Sequence, residues 1–500
     1  MTLDAVRGAA PPVPDHRRRR AMTPLMSACA VLVVAMVAAI NLAVPKLTLS
    51  SLHPSSTGLL WIVDAYVLVF GCLLIPAGAL GDRYGRKGAL LAGLGLFAAG
   101  CLASAAAPNV PVLLAGRLLT GLAAALIMPA TLSLLLQVTE PARRPHAIAT
   151  WTAATGIAGA VGNVAGGAVL QWLPWQALFL SAVPVALALA ALVAAVAPRG
   201  ERHPAALDLP GAALLTGSLF ALLFGIIEGP ERGWSDAVVL AGFGGAAVLL
   251  AVFVAHGLRA RHPLLDPRLF ADRRLAAGVA GVAVAFFGLF ALFFVNAQYL
   301  QYAKGFSPVV TGLAILPLVA GMFVVSRRSV ALGARFGTRR VVVAGLLGLA
   351  AGLGLLSLTD AATPYPLYAA CLVVLSVGMG LCVPSLSIAI MGALPPSRAG
   401  LGSGLNGAAR EIGSALGVAV LGTVLTSRFA AGLPPAEARR AHAPGQVLAA
   451  AHGATAHRTA VTAFTHAATA GFAVVAAVVL VLSLLVAAGL GRPSANRAPE

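Results

Sequence analysis

Charge is scarce in this 500-residue chain: only 10% of its residues are Asp, Glu, Lys or Arg, 59% are hydrophobic, and the mean hydropathy is +0.92. A soluble domain carries about 25% charged residues, so this composition excludes one. Acids are scarcest, 16 against 34 Lys and Arg, and the net charge is +18. That sum alone would suit nucleic acid. The positive charges, however, recur in alternate short loops between apolar runs, the pattern of a membrane protein's cytoplasmic side, and nucleic-acid binding is excluded. The five cysteines (Cys29, Cys72, Cys101, Cys371, Cys382) lie inside apolar runs without a CxxC pair. They read as small core residues, neither disulfides nor metal ligands. No histidine lies deep in an apolar run and no paired acids occur, so a metal site and a membrane-embedded enzyme are not expected. No polar stretch is long enough for the effector domain of a sensor.

What the chain does have is apolar runs long enough to cross a bilayer, which takes about 20 helical residues. Fourteen are read, near 25–45, 58–79, 88–107, 112–136, 146–170, 177–197, 209–228, 236–256, 275–297, 309–332, 340–358, 365–392, 403–427 and 467–490. Their length predicts an all-α integral membrane protein and not a barrel of short alternating strands. The first run is too long for a cleavable signal. Arg17 to Arg20 before it hold the N-terminus in the cytoplasm, and an even number of spans places the C-terminus there too. Lys46, Arg232, Lys304, Arg428, Arg439, Arg440 and Arg458 then fall outside, and Arg117 and Arg410 within spans. The one long external segment, 428–466, carries three prolines and four histidines without metal spacing. It reads as a solvated loop with a short helix near Val447 to Ala451, a pH-sensing lid being the alternative.

The chain is organised around Gly78 to Leu90, GALGDRYGRKGAL, where one span ends, four charges (Asp82, Arg83, Arg86, Lys87) form a turn, and the next span begins. Part of it returns 252 residues later: Leu80 to Lys87, LGDRYGRK, matches Leu332 to Arg339, LGARFGTR. The copies follow spans 2 and 10, so two spans, most simply 7 and 8, separate two six-span halves. This predicts a cytoplasmic tail 1–22, a first bundle 23–197, inserted helices and linkers 198–274, a second bundle 275–490 with its loop 428–466, and a tail 491–500.

An ionisable side chain inside a span is costly and marks function by default. Asp64 and Arg117 both lie about 8 to 9 Å from the outer ends of their spans at 1.5 Å per residue, close enough in depth to meet. Asp64 is the expected proton carrier and Arg117 its partner; a static structural pair is the alternative. Glu411, beside Arg410 near mid-membrane, is expected to be a second protonation or cation-binding site, and Glu228 an interfacial residue. Asp82 is favoured at the positive N-terminus of span 13, near Gly402 and Ser403. Polar or aromatic cavity candidates are Asn41, Trp61, Gln298, Gln301 and Asn406. In span 5, Gly156, Gly159, Gly162, Gly166 and Gly167 flatten one helix face for close packing.

GALGDRYGRKGAL resembles the signature loop of the major facilitator superfamily. Together with LWIVDAY (60–66), GRLLTGLAAA (116–125), LIMPATLSLL (126–135), WQALFLSAVP (175–184), Leu300–Gln301 and GSGLNGAAREIGSALGVAVLG (402–422), the fourteen spans are similar to its drug:proton antiporter branch. The resemblance implies two six-helix bundles plus two inserted helices, 14 transmembrane helices in all, alternating access, and export of an amphipathic drug or antibiotic in exchange for protons. Export of an endogenous metabolite or lipid is the alternative. It also implies no cofactor beyond the proton gradient, a monomer in the bacterial cytoplasmic membrane, a conformational latch at Gly78, Asp82, Arg83, Gly85, Arg86 and Lys87, and an antiporter seam at Gly159, Gly162, Asn163, Gly166 and Gly167. Two departures stand out. Met36 and Ala38 replace an acid and a threonine in span 1, which bears on a dicationic-drug preference. Gly162–Asn163 replaces Gly-Pro in span 5, which bears on antiport.

Overall fold

In a computed structural model, described for residues 16–490 apart from 49, 53, 55, 199–207, 307, 396–397 and 434–453, every apolar run is helical. The elements are α1 (His16–Thr48), α2 (Ser56–Tyr84), α3 (Arg86–Ala105), α4 (Val110–Val138), α5 (Arg144–Trp172), α6 (Gln176–Val196), α7 (Leu209–Arg232) and α8 (Ala237–Arg259). They continue with α9 (Arg273–Tyr302), α10 (Pro308–Leu313), α11 (Leu316–Phe336), α12 (Thr338–Leu356), α13 (Tyr365–Gly392), α14 (Ala399–Ala431) and α15 (Ala454–Gly489). Among the described residues, fourteen helical stretches are long and apolar enough to cross a membrane, α10 and α11 counting as one. The break before α11 coincides with Pro317 in its first turn, where the missing N–H costs no helical bond.

Several helices outrun the apolar runs that mark them. α1 begins at His16, so Arg17 to Arg20 are helical and not part of an irregular tail, and α15 begins at Ala454, inside the expected external loop. Polar residues end a hydropathy run without ending a helix, because arginine and alanine are good helix formers. Val447 to Ala451, with His442 and His452, lies outside the described residues.

Two apolar cores result. One is closed by α1 to α6, from Met22 to Ala197. The other joins α9 to α15 and also takes Leu215, Leu219, Leu223 and Ile226 of α7 and Leu68, Cys72 and Ile75 of α2. Helices α7 and α8 pair with each other, and α7 lies against both α2 and α14. Trp61 meets Phe224 with ring centroids 6.0 Å apart, and the Trp234 Nε1–H donates to Thr423 Oγ at 3.0 Å. The inserted hairpin therefore flanks the line along which the two halves meet.

The sequence repeat is a structural repeat in register. Gly85 between α2 and α3 has φ +108°, and Gly337 between α11 and α12 has φ +89°. Only glycine takes this conformation without strain, which explains why both copies keep it. The basic residue two positions after the glycine in each copy caps a distant helix. Lys87 Nζ donates to the carbonyls of Ala194 and Ala197 at 2.7 and 2.6 Å, at the end of α6, and Arg339 Nε donates to Ala487 O at 3.1 Å, near the end of α15. Cations suit the negative end of a helix. Arg86 and Lys87 are thus structural caps and ties as well as topology charges.

Candidate functional site

The seam between the halves runs along α2 and α14. Gly78 and Gly400 touch: a Cβ added to Gly78 would lie 2.3 Å from the Gly400 carbonyl oxygen. Any side chain here would push the helices apart. The close approach delivers Asp82 to the first turn of α14, where its Oδ1 accepts from the Gly400 N–H at 3.2 Å and its Oδ2 from the Leu401 N–H at 3.3 Å. Arg86 completes the group by donating from Nε to Asp82 Oδ1 at 3.0 Å and from Nη1 to Ser133 O at 3.3 Å. The helix starts at Ala399, so the carboxylate reaches Gly400 and Leu401, two residues before the expected Gly402 and Ser403. Free N–H groups occur only in the first turn. Arg83 stays partly exposed, its guanidinium 5.2 Å from the Tyr84 ring centre.

Deeper in the membrane, Arg117 is fully buried on α4. It donates from Nε to Ile62 O at 2.8 Å and from Nη2 to Val63 O at 3.3 Å, and stacks over the Tyr66 ring at 4.7 Å. These backbone bonds to α2 hold it beside Asp64, which acts on it electrostatically. From there aromatic rings continue the contact across the seam. Tyr66 lies 6.0 Å from Phe70, and the Arg410 guanidinium of α14 lies 5.9 Å from Phe70 and 5.7 Å from Phe286 of α9. Arg410 donates from Nε and Nη2 to Glu411 Oε1 at 3.1 and 3.0 Å. Both residues are 6% exposed. Tyr66 feels Arg117, Arg410 and Glu411 electrostatically, so the charged groups of α2, α4 and α14 share one field.

Arg117 and Glu411 thus lie on one connected line, with Asp64 in the field of Arg117, whereas the cavity candidates are scattered. Asn406 is buried and accepts from the Ser387 Oγ–H at 3.1 Å. Gln298 donates to Phe294 O of its own helix at 2.9 Å, Gln301 is half-buried, and Trp61 faces α7. Helices α9 and α14 run in parallel, with Gly413 beside Ala283 and Gly417 beside Phe287. At 1.5 Å per residue this register leaves Asn406 and Gln301 on the order of 35 Å apart along the bundle, so they cannot line one small cavity. The side chain of Asn41 lies outside the described residues. In α5, Gly162 and Gly166 abut Ala35 and Ala39 of α1, Gly167 is near Leu42, Gly159 faces open space and Asn163 is exposed. That seam lies within one half; Gly156, against Met322 of α11, is the glycine that meets the other.

Glu228 lies one residue before the end of its span, where it is packed against protein and paired with Arg232. Tyr66, Phe70 and Phe286 carry no sequence signal separating them from core aromatics. Arg327 and Arg328 are exposed within the span formed by α10 and α11, Arg327 lying 4.1 Å over Phe323. Adjacent arginines four and five residues before the end of the 309–332 apolar run were the available signal. At the end of the molecule that carries Asp82, a cavity of about 500 Å³ lies beside the closed contact, lined by Arg86, Gln137 and Arg144 of one half and Ile388, Met391 and Leu394 of the other. No metal-binding group of His, Cys, Asp or Glu occurs among the described residues.

The arrangement is that of a carrier, with two bundles meeting at a charged line instead of a pocket built around a reacting bond. Comparison with known proteins agrees. The Major Facilitator Superfamily model matches residues 26–418 and 279–499. The chain is 36% identical over 381 residues to the tetracenomycin C resistance and export protein of Streptomyces glaucescens, covering 75% of this chain and 70% of that one. It is 35% identical over 435 residues to the puromycin resistance protein of Streptomyces alboniger, covering 85% of each. A solved bacterial homologue of the human lysosomal transporter Spinster superposes with a TM-score of 0.63 at 15% identity, over 96% of this chain and all of the other, a likeness of fold alone. With both the family's sequence pattern and its fold present along nearly its whole length, the chain belongs to the Major Facilitator Superfamily and is a membrane transporter with fourteen membrane-spanning stretches among its described residues.

Proposed function

We propose that the protein exports amphipathic drugs or antibiotics from the cytoplasm in exchange for protons, by alternating access between the two bundles. The observation that carries this reading is the buried line Arg117–Tyr66–Phe70–Arg410–Glu411, which crosses from one half to the other, with the half-buried Asp64 in the field of Arg117. Relatives at 35–36% identity that are named for resistance to or export of antibiotics support the cargo class. A carboxylate that alternately faces an arginine and an apolar wall exchanges a proton as those surroundings alternate. Asp64, held near Arg117, is the first such group and Glu411 the second. Asp82 on the first turn of α14 is the latch of the state closed at its end of the molecule, and breaking its two backbone bonds frees that end to open. In this reading the latch end and both termini are cytoplasmic, the working unit is a single chain, and the proton gradient is the energy source.

The test is efflux of lipophilic compounds from cells expressing the wild type or Asp64→Asn, with and without a proton uncoupler. Uncoupler-sensitive efflux by the wild type, lost in a correctly inserted variant, is expected. Undiminished efflux by the variant would remove Asp64 from the proton path. No efflux of any drug would favour the narrow export of one endogenous metabolite.

A further inference from the structure

Every acid within the membrane-spanning stretches of the described residues is bonded to an arginine or lies in the field of one. Four such acids exist: Asp64, Asp82, Glu228 and Glu411. Asp82 is bonded to Arg86, Glu228 to Arg232 and Glu411 to Arg410, while Asp64 lies in the field of Arg117. A cationic cargo entering the interior needs a carboxylate to replace the water it loses, since an unpaired charge in a low-dielectric site is strongly disfavoured. Asp82, Glu228 and Glu411 are thus already ion-paired, and Asp64 is offset by the field of Arg117.

The pair at the seam is the decisive one. Arg410 is fixed from three sides: by Glu411 through two N–H donors, by Phe70 of one half and by Phe286 of the other. Aromatic faces attract a guanidinium, more so when it is desolvated. Arg410 therefore occupies, as a tethered cation, the carboxylate and the two rings that would otherwise hold a lipophilic cation. The cavity at the latch end points the same way. Among the described residues its charged lining is Arg86 and Arg144 with no acid, and the remaining wall is mostly apolar.

From these observations we infer that the cargo is an amphiphile without positive charge and that Arg410 is the residue that excludes lipophilic cations. This deepens the export reading above and rests on the seam being the cargo path. Arg410 acts by filling the site of a competing charge, so its removal changes which ligand is preferred as well as how tightly ligands bind.

The experiment is equilibrium binding to purified full-length protein in detergent, without a proton gradient, at pH 6 and pH 8. Two probes of similar shape are used, the permanent cation tetraphenylphosphonium and the neutral triphenylphosphine oxide. The wild type is expected to bind the oxide about tenfold more tightly than the phosphonium, one decade being a modest share of an unpaired buried charge's cost. Arg410→Gln should reverse that order at pH 8, Arg410→Lys should keep it, and Arg410→Gln with Glu411→Gln should lose the gained phosphonium binding. A wild type that binds the phosphonium as tightly as the oxide, or that binds neither, overturns the inference, as does an unchanged order in a folded Arg410→Gln. Should the glutamine variant not fold, the wild-type order and Arg410→Lys decide. Failure here with uncoupler-sensitive efflux intact removes only the charge preference. Loss of uncoupler sensitivity with the preference intact removes only antiport.

Discussion

Arg410 and Glu411 are consecutive on α14, where neighbouring side chains project about 100° apart, and yet both are buried and bonded to each other. A surface pair of this kind would contribute little, but a buried pair broken at one partner leaves an uncompensated charge, at a cost of about 3–5 kcal/mol. Glu411→Gln is therefore expected to lower the thermal stability of the detergent-purified protein sharply. The double substitution Arg410→Gln with Glu411→Gln should be more stable than Glu411→Gln alone, because it removes the orphaned cation. Melting curves of the wild type and three variants close the cycle; additive losses would show that the pair is not coupled.

Between helices, small features set the geometry. Replacing Gly85 by alanine forces a Cβ into a left-handed conformation at a cost of roughly 1–2 kcal/mol, and the same change at Gly337 should cost a similar amount if the two halves are built alike. Thermal melts of the two variants compare them directly. The inserted hairpin has its own fastening at Asp208, just before α7. That carboxylate accepts from the Gly211 N–H at 2.8 Å, from the Leu264 N–H at 3.1 Å and from His256 Nε2 at 2.8 Å, tying the start of α7, the end of α8 and the linker toward α9. Burial alone would raise the carboxyl, but these hydrogen bonds and the His256 ring hold it below the ordinary aspartate value of 3.8. A depressed value means the stabilisation is fully present above pH 3.8 and is lost as pH falls through the lower folded value. Asp208→Ala should thus melt earlier than the wild type at neutral pH, by an amount reflecting about 1–3 kcal/mol for N–H donors left without their acceptor. The gap should narrow below pH 3.8; a gap constant with pH would contradict the assignment.

For the molecule as a whole, the state seen here is closed at the Asp82 end, because α2 and α14 touch backbone to backbone there. A valine at Gly400 cannot fit against the Gly78 carbonyl and should hold that end open. All five native cysteines are buried, so a single reporter, Ser403→Cys at a position 4% exposed, reads the change. Gly400→Val is expected to accelerate its modification by a water-soluble maleimide several-fold, a rate that follows the population of the open state. Equal rates would mean that the glycine contact does not control closure.

Much of this was legible in the chain alone. Run length and scarce charge determine fourteen helices, because no other structure satisfies its backbone inside a bilayer without closing a barrel. The loop repeat reveals the two halves because a left-handed glycine and a capping cation leave marks at single positions, Gly85 with Lys87 and Gly337 with Arg339. Asp64, Arg117 and Glu411 stand out since a charge inside an apolar run is rare for energetic reasons. What only the tertiary structure decided is pairing. Phe70 and Phe286 look like any core aromatics until both flank Arg410. Asn406 and Gln301 seem equivalent until the register of α9 and α14 separates them. Asp82 meets Gly400 across more than 300 residues of chain, and α7 settles against both α2 and α14. Hydropathy and motif are properties of one segment, whereas which side chains share a buried charge depends on which helices touch, and that is settled only when the bundle closes.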